Sequence, residues 1–158
     1  MRTDIICVGK IKEKYFRDAI YEYSKRLSRY LNINIIEVPD EKAPENLSDA
    51  EKLTVKNKEG ERIIKALKTP FAAALDIKGK KMSSEGFADF FQNKMIFEPE
   101  DISFIIGGSL GLSEQVLKRA DMRISFSDMT FPHQLMRVIL LEQIYRAFRI
   151  IKNEPYHK

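Results

Sequence analysis

The chain alternates short apolar runs with longer stretches in which apolar residues recur every three or four positions. Ile5-Ile6-Cys7-Val8 is wholly apolar and closed by Gly9, the pattern of a strand buried on both faces. From Tyr15 to Tyr30 the spacing places Phe16, Ala19, Ile20, Tyr23 and Leu27 on one side of a helix, with Lys25, Arg26 and Arg29 elsewhere. Ile33 to Val38 is β-branched and stops at Pro39, which predicts a second strand. A polar loop follows from Asp40 to Asn46. Ser48-Asp49-Ala50-Glu51 matches a capping box and opens a helix expected to reach about Leu67. Past Pro70, Phe71 to Ile77 reads as a third strand, and Ser84 as the N-cap of a helix over Glu85 to Ile96. Ile102 to Ile106 is the fourth strand, Ser113 to Ala120 a short helix, and Met122 to Phe126 the fifth strand. The last helix runs from Pro132 to about Lys152, with proline at the first helical position, where its missing N–H is no loss.

Strand-helix alternation throughout implies an α/β fold: a mainly parallel sheet of five to six strands with helices on both faces. No repeat, low-complexity tract or linker divides the chain, so residues 1–158 read as one domain. The apolar runs fall short of a membrane span and no signal-peptide pattern opens the chain, so no membrane partner and a cytoplasmic location are expected. A lone cysteine, Cys7, lies in an apolar run and reads as a small buried hydrophobe. With 27 basic and 23 acidic residues the net charge is +4. This permits a polyanionic partner without requiring one.

Ligands of open α/β sheets bind outside the carboxyl ends of the strands. Three loops occupy such places: Leu75 to Gly79, Gly107-Gly108-Ser109-Leu110-Gly111, and Ser125 to His133. The glycine loop has neither dinucleotide-fold nor P-loop spacing. It suits either a close backbone approach to a ligand or a tight turn needing positive φ. In the third loop Ser127, Thr130 and His133 interleave with Phe126, Met129 and Phe131. That mixture can wall an adenine ring while offering backbone groups to its edge, and a plain helix cap built on Asp128 or Thr130 accounts for it equally.

The last helix is apolar over most of its circumference, which calls for burial on several sides and predicts a homodimer. Arg137 has little polar company there and must be paired in the interface or reach a functional cleft. Arg146 follows Glu142 by four residues, the spacing of a routine ion pair. His133 stands at a helix start, where the dipole favours the neutral ring. His157 lies in the terminal Pro155-Tyr156-His157-Lys158. No metal-ligand spacing is visible, and no metal is expected.

Three segments together resemble one family: Phe104-Ile105-Ile106-Gly107-Gly108-Ser109-Leu110-Gly111, Met129 to Val138, and Glu142 to Phe148 with the Pro155-Tyr156-His157-Lys158 ending. They resemble the small SPOUT methyltransferases that modify N3 of a pseudouridine in large-subunit rRNA. Val8-Gly9-Lys10 and Glu37-Val38-Pro39 fit as well, and the resemblance covers essentially the whole chain. It implies a C-terminal trefoil knot, which strand-helix patterning does not show, and a homodimer acting on the assembled ribosome with S-adenosylmethionine as methyl donor. It further implies that Leu75, Gly107, Phe126, Ser127, Asp128, Met129, Thr130 and Phe131 hold the donor, with Asp128 the least secure. His133, Arg137, Tyr156 and His157 become candidate catalytic groups, and Arg146 a candidate RNA contact. Lys12, Lys14, Arg17, Lys25, Arg26 and Arg29 offer phosphate contacts, a solvated helix face being the plainer reading of most of them. A related enzyme acting on tRNA or another rRNA site, or an inactive ribosome-binding protein, would share these features.

Overall fold

A computed structural model describes residues 1–158. Five strands form one sheet in the order β2-β1-β4-β3-β5. They are β1 (Arg2–Val8), β2 (Asn32–Val38), β3 (Phe71–Lys81), β4 (Ile102–Ile106) and β5 (Met122–Ser125). Every neighbouring pair is parallel, so the sheet is wholly parallel and stops at five strands. The helices are α1 (Lys14–Leu27), α2 (Asp49–Ala66), α3 (Ser84–Phe97), α4 (Glu114–Arg119) and α5 (His133–Ile151). None is both long and apolar enough to cross a membrane.

Alternation along the strands divides the core in two. Ile5, Cys7, Phe104, Ile106, Ala73 and Ile124 pack against α1, α3 and α5. Ile6, Val8, Ala72 and Ile105 point the other way, onto Ile63 of α2 and Val116 of α4. Both faces are covered, which is why the central strands read as largely apolar runs. Each of the isoleucine, valine and phenylalanine side chains taken fully out of water stabilises the fold by about 1.5–3 kcal/mol.

The local signals held in most places. The Ser48 hydroxyl accepts from Glu51 N and the Glu51 carboxylate accepts from Ser48 N, completing the capping box. Three expectations need correction. Ser83, not Ser84, caps α3, because its hydroxyl is the one within reach of Gly86 N at 3.0 Å. Pro132 occupies the N-cap of α5 rather than its first helical position, and no side chain caps that end. β3 runs four residues beyond Ile77: the chain leaves the ladder after Leu75 and returns at Lys80, both residues being paired with Ile124 of β5.

Candidate active site

The carboxyl ends of β3, β4 and β5 surround a cleft of about 710 Å³. Its walls come from the three loops singled out above. Leu75, Asp76 and Ile77 enter from the β3 excursion, Gly107 to Leu112 from the end of β4, and Phe126, Ser127, Met129, Thr130 and Phe131 from the segment after β5. Pro132, His133 and Met136 close it from the start of α5.

Backbone geometry explains each wall. Gly107 lies so close to the other arm of its loop that a Cβ there would meet Gly111 C at 2.9 Å. Gly111 takes φ +84° and donates its N–H to Gly108 O at 3.1 Å, closing a tight turn. The loop after β5 is held by its own serines. Ser125 Oγ donates to Ser127 O at 3.1 Å, and Ser127 Oγ accepts from Met129 N at 3.0 Å. Phe126 sets its edge against Phe87 of α3. This loop does not cap α5, so the free N–H groups of the first turn open beside the cleft, a place suited to a carboxylate or other anion.

The cleft does not gather every candidate. Asp128 is outside it, ion-paired with Lys81 and 78% exposed. Arg137 lies behind the wall, 1% exposed, and is paired within its own chain. It donates to Glu37 Oε2 at 2.8 Å, Val8 O at 3.0 Å and Gly9 O at 2.8 Å, which ties α5 to the ends of β1 and β2. It therefore reaches no open cleft, because the loop ends of two strands take its donors. Arg146, Tyr156 and His157 form a separate cluster. Arg146 Nε donates to Glu142 at 3.0 Å, and its guanidinium lies 4.8 Å over the Tyr156 ring. Tyr156 Oη donates to Glu142 at 3.0 Å, and His157 Nε2 is 2.7 Å from Glu85. The helical ion pair is thus realised, and the chain end, where fraying is usual, is held to Glu142 and Glu85.

Of the titratable groups at the cleft, His133 is held below its ordinary value, first by burial and next by the nearby Arg137 charge, against an opposing pull from Asp40. A neutral imidazole at the cleft is a hydrogen-bond or proton acceptor. Burial and the Glu142 contact raise the Tyr156 phenol, so it stays protonated. Sequence reasoning left out Asp76, the one carboxylate of the lining, although it adjoins Leu75 in a loop already marked. It also left out Leu117 of α4 and Met136, which carry no local signal. No three His, Cys, Asp or Glu side chains converge on a metal position.

A wholly parallel sheet with a glycine turn and two further loops closing a cleft over its carboxyl ends defines a ligand-binding α/β protein. The family described as "Predicted SPOUT methyltransferase" matches residues 1–157. A protein of Alkaliphilus oremlandii named "Ribosomal RNA large subunit methyltransferase H" is 64% identical over 159 residues, with all of both chains covered. One of Clostridium botulinum with the same name is 60% identical over the same span. In fold, the chain is similar to a Legionella pneumophila methyltransferase solved with bound SAM, at a TM-score of 0.53 and 12% identity. That match covers 94% of this chain and 66% of the other. The chain belongs to the SPOUT methyltransferase family.

Proposed function

We propose that the protein transfers a methyl group from S-adenosylmethionine to N3 of a pseudouridine in large-subunit rRNA, within the assembled ribosome. The observation that carries this reading is the coincidence of one cleft with the three loops that the family resemblance assigns to the donor. Full-length relatives at 64% and 60% identity that bear the name of a large-subunit rRNA methyltransferase support the RNA substrate.

The lining fits a donor of that kind. Leu75, Phe126, Met129 and Phe131 supply apolar walls for a purine, and Gly107 lets the backbone approach it without a Cβ. Asp76 offers a negative charge to a cationic ligand, and the uncapped start of α5 offers N–H groups to a carboxylate. Bound there, the donor supplies an electrophilic methyl. The chain's part is to align the acceptor nitrogen with it and to exclude water. His133, neutral and at the cleft, accepts the proton of the ring nitrogen, directly or through one water. Arg137 holds α5 in place behind His133, and its charge favours that neutral ring.

The second subunit completes the site. Leu135, Val138 and Ile139 form a partly exposed apolar stripe on α5 that a partner copy would cover. Tyr156 and His157 lie outside the cleft of their own chain and would serve the partner's, with Arg146 on the RNA. The knot belongs to the same reading.

The test is transfer of labelled methyl to ribosomes from a strain lacking this gene, with mass-spectrometric mapping of the product. Label on N3 of a large-subunit pseudouridine is the expected result. Label in tRNA instead would keep the chemistry and sink the substrate. A chain truncated after Glu154 should still bind the donor but transfer no methyl, and full activity would remove Tyr156 and His157 from the mechanism.

A further inference from the structure

Between Lys10 and Arg29 the sequence carries seven basic residues and three acidic ones. That excess of four equals the net charge of the whole chain, so the remainder is neutral in sum. The stretch comprises the loop after β1 and helix α1 with its immediate end. Part of its charge is neutralised locally. Lys14 pairs with Asp18 at 2.9 Å, Arg26 with Glu22 at 3.0 Å, and Arg29 with Glu154 at 3.4 Å. Lys10, Lys12 and Lys25 are exposed and have no acidic side chain within ion-pair distance. Arg17 donates to Lys12 O at 3.1 Å, which fixes the loop and leaves its own charge uncompensated.

Amid these cations stands Tyr21, 70% exposed. It follows Arg17 by four residues and precedes Lys25 by four, so the three share one stripe of the helix. No ring stacks on Tyr21 and no cation sits over it, whereas Tyr23 and Tyr30 of the same region both pack on Tyr145. A lone exposed aromatic is ordinary. An unpartnered one set between two free cations is the arrangement that grips unpaired nucleotides, with cations on the phosphates and the ring under a base.

Position links the stripe to the cleft. The loop from Lys10 begins at Gly9, whose carbonyl is held by Arg137, one helical turn along α5 from the cleft residue His133.

We propose that the outer face of α1 docks single-stranded rRNA, with Lys10, Lys12, Arg17 and Lys25 on phosphates and Tyr21 stacked on an unpaired base. The proposal rests on the reading of the chain as an rRNA methyltransferase and names its RNA-holding surface. It assigns to recognition a face that sequence patterning alone would leave to solvent.

The test is co-sedimentation with assembled ribosomes over a range of salt, for the wild type, Tyr21→Ala, Tyr21→Phe and the combined Lys10→Glu, Lys12→Glu, Lys25→Glu. Tyr21→Ala should weaken binding about tenfold, the scale of one base–aromatic stack, and Tyr21→Phe should stay near wild type. Loss of three phosphate contacts should make the log–log salt dependence shallower by roughly two. Affinity for S-adenosylmethionine and the oligomeric state should not change. Wild-type binding by both the alanine and the triple variant would overturn the proposal. So would a changed oligomeric state in Tyr21→Ala, which would make the face a subunit contact. So would failure of excess oligouridylate to compete, which would make the partner a protein surface. If the wild type binds ribosomes in this pattern yet transfers no methyl, the docking face stands and the catalytic reading falls.

Discussion

Arg137 of α5 and Glu37 of β2 meet at 2.8 Å, and the arginine also takes the carbonyls of Val8 and Gly9. One buried cation thus joins the last helix to the exits of the two strands at the far edge of the sheet. Removing it would take a donor from two strand-end carbonyls and leave Glu37 with its bond from the Ile11 N–H. Arg137→Leu should destabilise the protein by about 1–3 kcal/mol, read as a lower urea midpoint with an unchanged slope. Glu37→Gln should also lower the midpoint, because it leaves the buried guanidinium without its counter-charge. Equal midpoints for Arg137→Leu and the wild type would show that the pairing does not hold the fold.

His133 makes stability depend on pH in a definite direction. Its folded-state value lies below the ordinary 6.5, because burial and Arg137 disfavour the cation. Between the two values the unfolded chain binds the extra proton, so stability rises with pH there and is lost as pH falls below about 6.5. In His133→Gln that acid-side loss should shrink. Denaturant midpoints measured from pH 7 down to 5 decide it, and identical profiles would remove His133 as the cause.

Cys7 acts at the other end of the scale. Complete burial pushes its thiol up from 9.0 to about 12. The folded protein therefore holds the proton where the unfolded chain releases it, and stability falls as pH rises from about 9 towards 12. At neutral pH the thiol should react with an aromatic disulfide reagent only on unfolding, at a rate that follows denaturant. Prompt labelling of the native protein would contradict this burial.

Gly79 lets the β3 excursion lie against β5. A Cβ at this position would fall 2.7 Å from both Arg123 C and Ile124 N, and these are backbone atoms that cannot rotate away. Gly79→Ala should lift the strand end and disturb Asp76 and Ile77 at the rim of the cleft. The expected outcome is a loss of about 1–3 kcal/mol in stability, with a several-fold weaker affinity for S-adenosylmethionine by calorimetry. Wild-type values for both would mean that the excursion moves freely.

These features differ in how far the sequence disclosed them. The strand Ile102 to Ile106 was legible to the residue, because a mainly apolar run between Asp101 and Gly107 has one comfortable place in a parallel sheet. The cleft loops were legible because they leave such runs. Helix phase was less so: with Ser83 and Ser84 adjacent, composition does not say which hydroxyl meets Gly86 N. The β3 extension was hidden, since Lys78-Gly79-Lys80-Lys81 is polar and its pairing depends on the approach to Ile124. Arg137 plainly required a partner, but Glu37 is distant in the sequence and no local rule connects the two. The site was visible where it is made of loop chemistry and invisible where it is made of tertiary contact.

The strand order also sets a timetable for the chain as it is made. β1 and β2 can pair early, but β1 meets its other neighbour only when Ile5 finds Phe104. β3 has no partner at all until β4 or β5 has been synthesised. Since β4 joins the two halves of the sheet, most of the molecule must leave the ribosome before its centre can form. Folding through such late, distant pairings is slow. A nascent chain stalled before Ile102 would expose the apolar edge of β1, and chaperones would be expected to hold it there.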